Sequence, residues 1–190
     1  MWFNNTVVPE MNRLTYICCI ISIPLFVTHC ENKHTSHDSG NTMNSTNPDY
    51  TLVMSAFDKT NEQIREKGWE NIGVEHRHLA NVIGFYSKVE NSGFSGFYFD
   101  SEYLPDMLEE LSRSLKEVGA LRAEGLLQAS TLKFEGGIVP AGMDARIEVA
   151  QFYPEDFDPF EDLNNKFYRE AEPDMALLAN YIRANPSAFK

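Results

Sequence analysis

From Tyr50 onward, apolar residues recur at helical spacing. Leu52, Val53, Ala56, Phe57 and Ile64 mark a first helix, and Gly68 offers its stop. Leu79, Val82, Ile83, Tyr86 and Val89 form the apolar face of a second helix, expected from about Val74 to Glu90. Pro105 suits the first turn of another helix, whose stripe is Met107, Leu108, Leu111, Leu115 and Val118 and whose end is Gly119. Leu121 to Leu132 reads as a further helix, with Gly136 and Gly137 ending the segment beyond it. Ile138 to Met143 reads as a loop, and Ala145 to Phe152 fits a short helix, although its alternation also permits a strand. Pro154 and Pro159 bracket an acidic turn. Two last helices are expected near Phe160 to Arg169 and Asp174 to Ala184, the latter with Asp174 as a candidate cap and Asn185-Pro186 as its stop. Short connections between helical patterns, without internal repeats, predict one compact all-α domain over residues 50–190.

Between the second and third helices lies Lys88-Val89-Glu90-Asn91-Ser92-Gly93-Phe94-Ser95-Gly96-Phe97-Tyr98-Phe99-Asp100-Ser101. Its glycines let the backbone turn sharply out of a helix, and the aromatics behind them then fold back and bury apolar area. The block reads as a packing device. The expected core holds Phe94, Phe97, Phe99, Leu108, Leu111, Phe160, Phe167, Leu178 and Tyr181.

The chain before Tyr50 has a different pattern. Leu14 to Val27 is apolar except for Thr15 and Ser22, and Met11-Asn12-Arg13 precedes it with a positive charge. A spanning helix needs ~20 residues, so the stretch fits a secretory signal peptide over residues 1–29 with Met11 as the start. Val27-Thr28-His29-Cys30 occupies the place of a lipoprotein box, in which Cys30 would be lipidated. His29 departs from the small residue usual there. The alternatives are cleavage without lipidation and an uncleaved anchor. Cys18 and Cys19 lie in the leader, so Cys30 would be the one cysteine of the mature chain, which then has no internal disulfide. Residues 30–49 are rich in Asn, Ser, Thr and His and read as a disordered tether. On this reading the protein is lipid-anchored in the cell envelope and faces away from the cytoplasm. Without a working leader it is cytoplasmic.

Composition adds one strong signal, a formal net charge of −12. Membrane-surface and nucleic-acid binding both need basic patches, so the charge argues against either and favours a basic protein partner. Solubility alone is the plainer use of carboxylates on helix faces. Two clusters stand out. Glu102, Asp106, Glu109 and Glu110 sit at the start of a helix, and Glu155, Asp156, Asp158, Glu161 and Asp162 follow one another without a Lys or Arg between them. Favourable interaction with helix N-termini accounts for some of these. Phosphate charges on a duplex recur every ~1.7 Å of axis. One helical row offers a carboxylate every ~5.4 Å, so imitating a duplex needs several rows or two subunits side by side.

Other chemistry finds little support. Zinc spacing, a phosphate-binding glycine loop and a nucleophile elbow are all missing from the sequence. His34 and His37 lie in the polar tether. His76 and His78 are two apart on a helix and point to different sides, with His78 a packing residue beside the apolar face. The expectation is a non-enzymatic chain with no cofactor and no metal.

Two separated segments carry a resemblance. The first is the block around Val89-Glu90-Asn91-Ser92-Gly93-Phe94 with its aromatic run. The second is Pro159-Phe160-Glu161-Asp162-Leu163-Asn164-Asn165-Lys166-Phe167-Tyr168, followed by Leu177 to Pro186 with Tyr181-Ile182-Arg183, and by Phe189. In this order they resemble the bacterial DNA-mimic protein family in its helical C-terminal domain, over roughly residues 50–190. The resemblance implies acidic dimers that occupy a DNA-binding protein, hence a basic partner and a homodimer. An exported chain would meet other partners. An immunity protein neutralising a basic toxin, and a structural envelope lipoprotein without a specific partner, are the alternatives.

Overall fold

The computed structural model describes residues 47–99, 105–151 and 157–190. The leader, His34, His37, Cys30, Glu102, Glu155 and Asp156 lie outside the described residues, as does the side chain of Asp106. Seven α-helices, and no strand among the described residues, make up the fold: α1 (Pro48–Lys67), α2 (Val74–Phe99), α3 (Pro105–Val118), α4 (Leu121–Thr131), α5 (Met143–Gln151), α6 (Glu161–Glu170) and α7 (Asp174–Ala184). Short 3-10 turns, Trp69–Asn71 and Glu135–Gly137, join α1 to α2 and follow α4. No helix of the described residues is long and apolar enough to cross a membrane.

The second helix is the axle. It touches α1, α3, α5, α6 and α7. Its sequence explains why: His78, Leu79, Ala80, Asn81 and Val82 are all buried in succession, and a helix buried on every side must be covered on every side. By contrast α3 buries only one stripe, with Leu111, Leu115 and Val118 inward and Glu109, Arg113 and Lys116 outward. Gly119, at φ +90°, reverses the chain into α4.

The expected second helix runs past Glu90 to Phe99, interrupted at Gly93, where φ is 63° and ψ −175°. The chain breaks there and resumes as helix, rather than leaving it. Gly96 lies in the resumed helix and is buried. The break swings Phe94, Phe97 and Tyr98 inward, where all three are fully buried. They meet one another and Phe85, Phe160 and Phe167 with ring centroids between 4.9 and 6.5 Å apart, mostly edge to face, the arrangement the ring quadrupoles favour. Leu111 and Leu178 complete the expected core, while Phe99, Leu108 and Tyr181 sit at its margin, partly buried. A smaller cluster of Phe57, Ile64, Trp69, Ile72 and Ala80 fills the corner under the first 3-10 turn.

Residues 143–151 form a helix, not a strand. Its anchor is Arg146, whose side chain is fully buried. The Arg146 Nε donates to the Tyr98 carbonyl at 2.8 Å, and one terminal nitrogen donates to the carbonyls of Pro140 and Ala141 at 2.8 and 3.0 Å. One guanidinium thus serves the C-terminal end of α2 and the loop leading into α5, three fixed acceptors that suit its planar fork. The last helix spans Asp174–Ala184 as expected, but its N-cap position is Pro173; Asp174 is the first helical residue and accepts from the Met175 N–H.

Candidate functional site

The two sequence segments that carried the resemblance meet in space. Across the Gly93 break, the N–H of Phe94 begins a new helical stretch and needs an acceptor from outside it. The Asn164 Oδ1, on α6, supplies it at 2.8 Å. The Asn164 Nδ2 in turn donates to Asp158 Oδ2 at 2.8 Å. The other Asp158 oxygen accepts from the Ser95 hydroxyl at 2.6 Å and from the Phe160 N–H at 2.9 Å. Asp158 therefore caps the entry to α6 and clasps α6 to α2. A β-carbon on Gly93 would lie 2.8 to 3.0 Å from the Asn164 side chain, so the close approach needs glycine.

Within the second acidic cluster, this geometry separates residues that look alike in sequence. Asp158 is half-buried, with both oxygens engaged inside the fold. Glu161 and Asp162 stand exposed in the first turn of α6. Lys133, from the α4–α5 connection, reaches Asp162 at 3.0 Å, and this bond holds the Asp162 carboxyl below its ordinary value.

The first cluster divides similarly. Glu109 pairs with Arg113 one turn along α3 at 3.3 Å, with both side chains mostly exposed. Glu110 turns toward α2 and meets Arg77 Nε at 3.2 Å. Glu70, Arg77, Glu109, Glu110 and Arg113 line a small cleft of ≈ 260 Å³ in which carboxylates and guanidiniums alternate. The exposed pairs are cheap to separate, worth ~0–1 kcal/mol. Each cluster is thus supplied with a cation by the same chain.

Other carboxylates hold structure. Glu172 accepts from the Arg122 and Ala123 N–H groups at 2.8 and 3.3 Å and caps the start of α4, a helix whose own N-cap residue, Ala120, offers no side-chain acceptor. Glu124 is buried and bonded to Ser112, with Lys116 at 3.1 Å.

The two histidines serve different neighbours. His76 packs toward α1 and the C-terminal residues, with Thr60 Oγ1 2.7 Å from Nδ1 and the Gln63 amide and Ala188 carbonyl 2.8 and 3.0 Å from Nε2. His78 packs toward α7, its Nδ1 2.9 Å from the Tyr181 hydroxyl. Burial lowers both imidazoles from their ordinary value. No group of three or more His, Cys, Asp or Glu able to hold a metal occurs among the described residues.

His78 and Tyr181 belong to a second, larger cleft of ≈ 420 Å³ between α2, α3 and α7. Glu75 and Glu117 line it with Val74, Val118, Asn180, Ala184 and Asn185. The sequence clusters gave no hint of it. Glu75 and Glu117 are isolated carboxylates 42 positions apart, and only the packing of α3 beside α2 brings them together.

A family model described as DMP19-like protein matches residues 70–185, more than half of the chain. The match spans both halves of the Gly93–Asp158–Asn164 clasp. No curated protein matches the chain. No solved structure matches it either.

Proposed function

This chain belongs to the DMP19-like protein family, a DNA-mimic family with a helical domain, and on that footing we propose that it is a non-enzymatic acidic domain that captures a basic protein. The observation that carries the reading is family membership joined to a net charge of −12. Exposed Glu161, Asp162 and Glu109 at the ends of α6 and α3 supply the binding face, together with Glu102, Asp106, Glu155 and Asp156 beside them in sequence. Opposite charge speeds encounter with a basic partner, and pairs that become buried add specificity. Asp158 is outside the binding set, because both its oxygens are engaged within the fold.

The reading includes display from the cell envelope through a lipidated Cys30, which places the partner outside the cytoplasm and favours an immunity-like or envelope role over mimicry of DNA toward a regulator. A cytoplasmic DNA mimic is the second reading, favoured by the family itself, and it requires that the leader not function. Fractionation decides between them: Cys30→Ala should release the protein from membranes or block its processing, whereas a soluble wild-type protein that begins elsewhere than Cys30 removes the envelope reading.

The capture itself is tested with full-length protein in which Glu109, Glu155, Asp156, Glu161 and Asp162 are changed to Gln or Asn and Asp158 is left intact. A basic protein retained by the wild type should be lost from this variant and from the wild type at raised salt, since exposed charge attraction is screened over ~8 Å at physiological ionic strength. Equal retention by the variant would reduce the acidic face to a solvating surface.

A further inference from the structure

The two clefts at α3 differ in one respect. The smaller one holds its own cations, Arg77 and Arg113, among Glu70, Glu109 and Glu110. The larger one, between α2, α3 and α7, has two carboxylates and no lysine or arginine in its lining. Its volume of ≈ 420 Å³ is within the range of small-molecule and side-chain sites.

The lining is more than two acids. His78 is only 7% exposed, and with Nδ1 engaged by Tyr181 its Nε2 has no protein partner. In the tautomer that donates from Nδ1 to the Tyr181 oxygen, Nε2 presents a lone pair. Tyr181 adds an aromatic ring, half-buried, and the Asn180 and Asn185 amides stand nearby. Glu75 and Glu117 line the same cleft as these two rings. The Tyr181 phenol is pushed up to about 12 by burial first and by these carboxylates second. For His78, burial is the largest influence and lowers the imidazole from its ordinary value, against the raising pull of Glu117, Glu110 and Glu75.

A site with two carboxylates, an aromatic ring and a free imidazole nitrogen, and without a cation of its own, lacks a guanidinium. A planar guanidinium can donate to both carboxylates at once and stack on a tyrosine. We propose that this cleft receives one arginine side chain of the partner protein, held between Glu75 and Glu117 against Tyr181. The proposal deepens the basic-protein reading, on which it rests, by giving the partner one specific contact point.

The test titrates N-acetyl-arginine N-methylamide into full-length protein and follows backbone amide shifts by NMR. Saturable shifts should be confined to residues 74–78, 117–118 and 180–185. Affinity should fall at least ten-fold in Glu75→Gln/Glu117→Gln, and the uncharged citrulline analogue should not saturate the site. The single variant Glu117→Gln, at an exposed position, guards against misfolding and should weaken binding by itself. Equal saturation in the double variant, an equal response to citrulline, or shifts spread over all exposed carboxylates would overturn the proposal. That failure leaves the salt-sensitive capture test, which touches neither Glu75 nor Glu117, to stand or fall separately.

Discussion

Gly93→Ala is the sharpest perturbation this fold offers. At φ 63° and ψ −175°, Gly93 occupies backbone space that residues with a β-carbon almost never enter. Holding a side chain there costs about 1–3 kcal/mol. The new methyl would also sit 2.8 Å from Asn164 Nδ2 and 2.9 Å from Oδ1, well inside contact distance. Asn164 must then move, and its bonds to the Phe94 N–H and to Asp158 stretch or break. Each hydrogen bond contributes ~1 kcal/mol net. Backbone and bonds together give about 3–5 kcal/mol, a large part of the ~5–15 kcal/mol that holds an ordinary domain folded. The midpoint of thermal unfolding should drop by roughly 10–15 °C.

Urea unfolding followed by helical circular dichroism measures the loss, and a double-mutant cycle assigns it. In an Asn164→Ala background there is no amide to displace, so Gly93→Ala should cost only its backbone share. The two changes should therefore sum to less than their separate effects. A Gly93→Ala protein within ~0.5 kcal/mol of wild type, the range of ordinary surface substitutions, would refute the argument. Strict additivity in the cycle would leave the strain but remove Asn164 from its cause.

Three further outcomes are expected. Arg146→Lys should destabilise the fold by ~3 kcal/mol or more, seen as a lower urea midpoint, because one ammonium cannot reach the carbonyls of Tyr98, Pro140 and Ala141 together; a variant as stable as wild type would show that charge alone suffices. Asp174 is raised above its ordinary value of 3.8 by burial, so folding favours its acid form and the ionised carboxylate costs stability above the folded value; Asp174→Asn should be more stable than wild type at pH 7, with the advantage fading as pH falls toward 3.8, and unfolding curves at both pH values check the sign. Lys133→Met frees the exposed Asp162 carboxylate and should tighten capture of a basic protein by up to ~5-fold at low salt, the ceiling set by an exposed pair worth ~0–1 kcal/mol; unchanged retention counts against Asp162 as a contact.

Most of the helices were legible because each apolar stripe fixes a face. Leu111, Leu115 and Val118 marked α3, and Gly119 marked its end. What the sequence could not convey was which of two nearby glycines breaks the helix. Gly93 and Gly96 have the same intrinsic freedom, and the choice depends on Asn164, 71 positions away. The same distance problem hid the clasp. Asp158 reads as one more acid in a run, and only its bonds to Ser95, Phe160 and Asn164 separate it from Glu161. Arg146 sat in a segment that fitted a short helix and also permitted a strand, and nothing local marks an arginine as buried.

The distribution of charge bears on how such a domain would discriminate among partners. A surface that attracts by net charge alone accepts any basic protein. Here the exposed pairs Glu109–Arg113 and Lys133–Asp162 add a condition: a partner must present cations where Arg113 and Lys133 already stand, and must replace them. That exchange costs little, since the pairs are solvated, so it favours rapid encounter over selectivity. Selectivity requires a contact that a diffuse cationic surface cannot make. The clasp supplies the rigidity for it. By tying α6 to α2 through Asp158 and Asn164, the fold fixes the α6 carboxylates relative to the axle helix on which Glu75 and His78 also lie. Two charged regions tied to the same helix in this way have a fixed separation, and a partner must match the spacing as well as the sign.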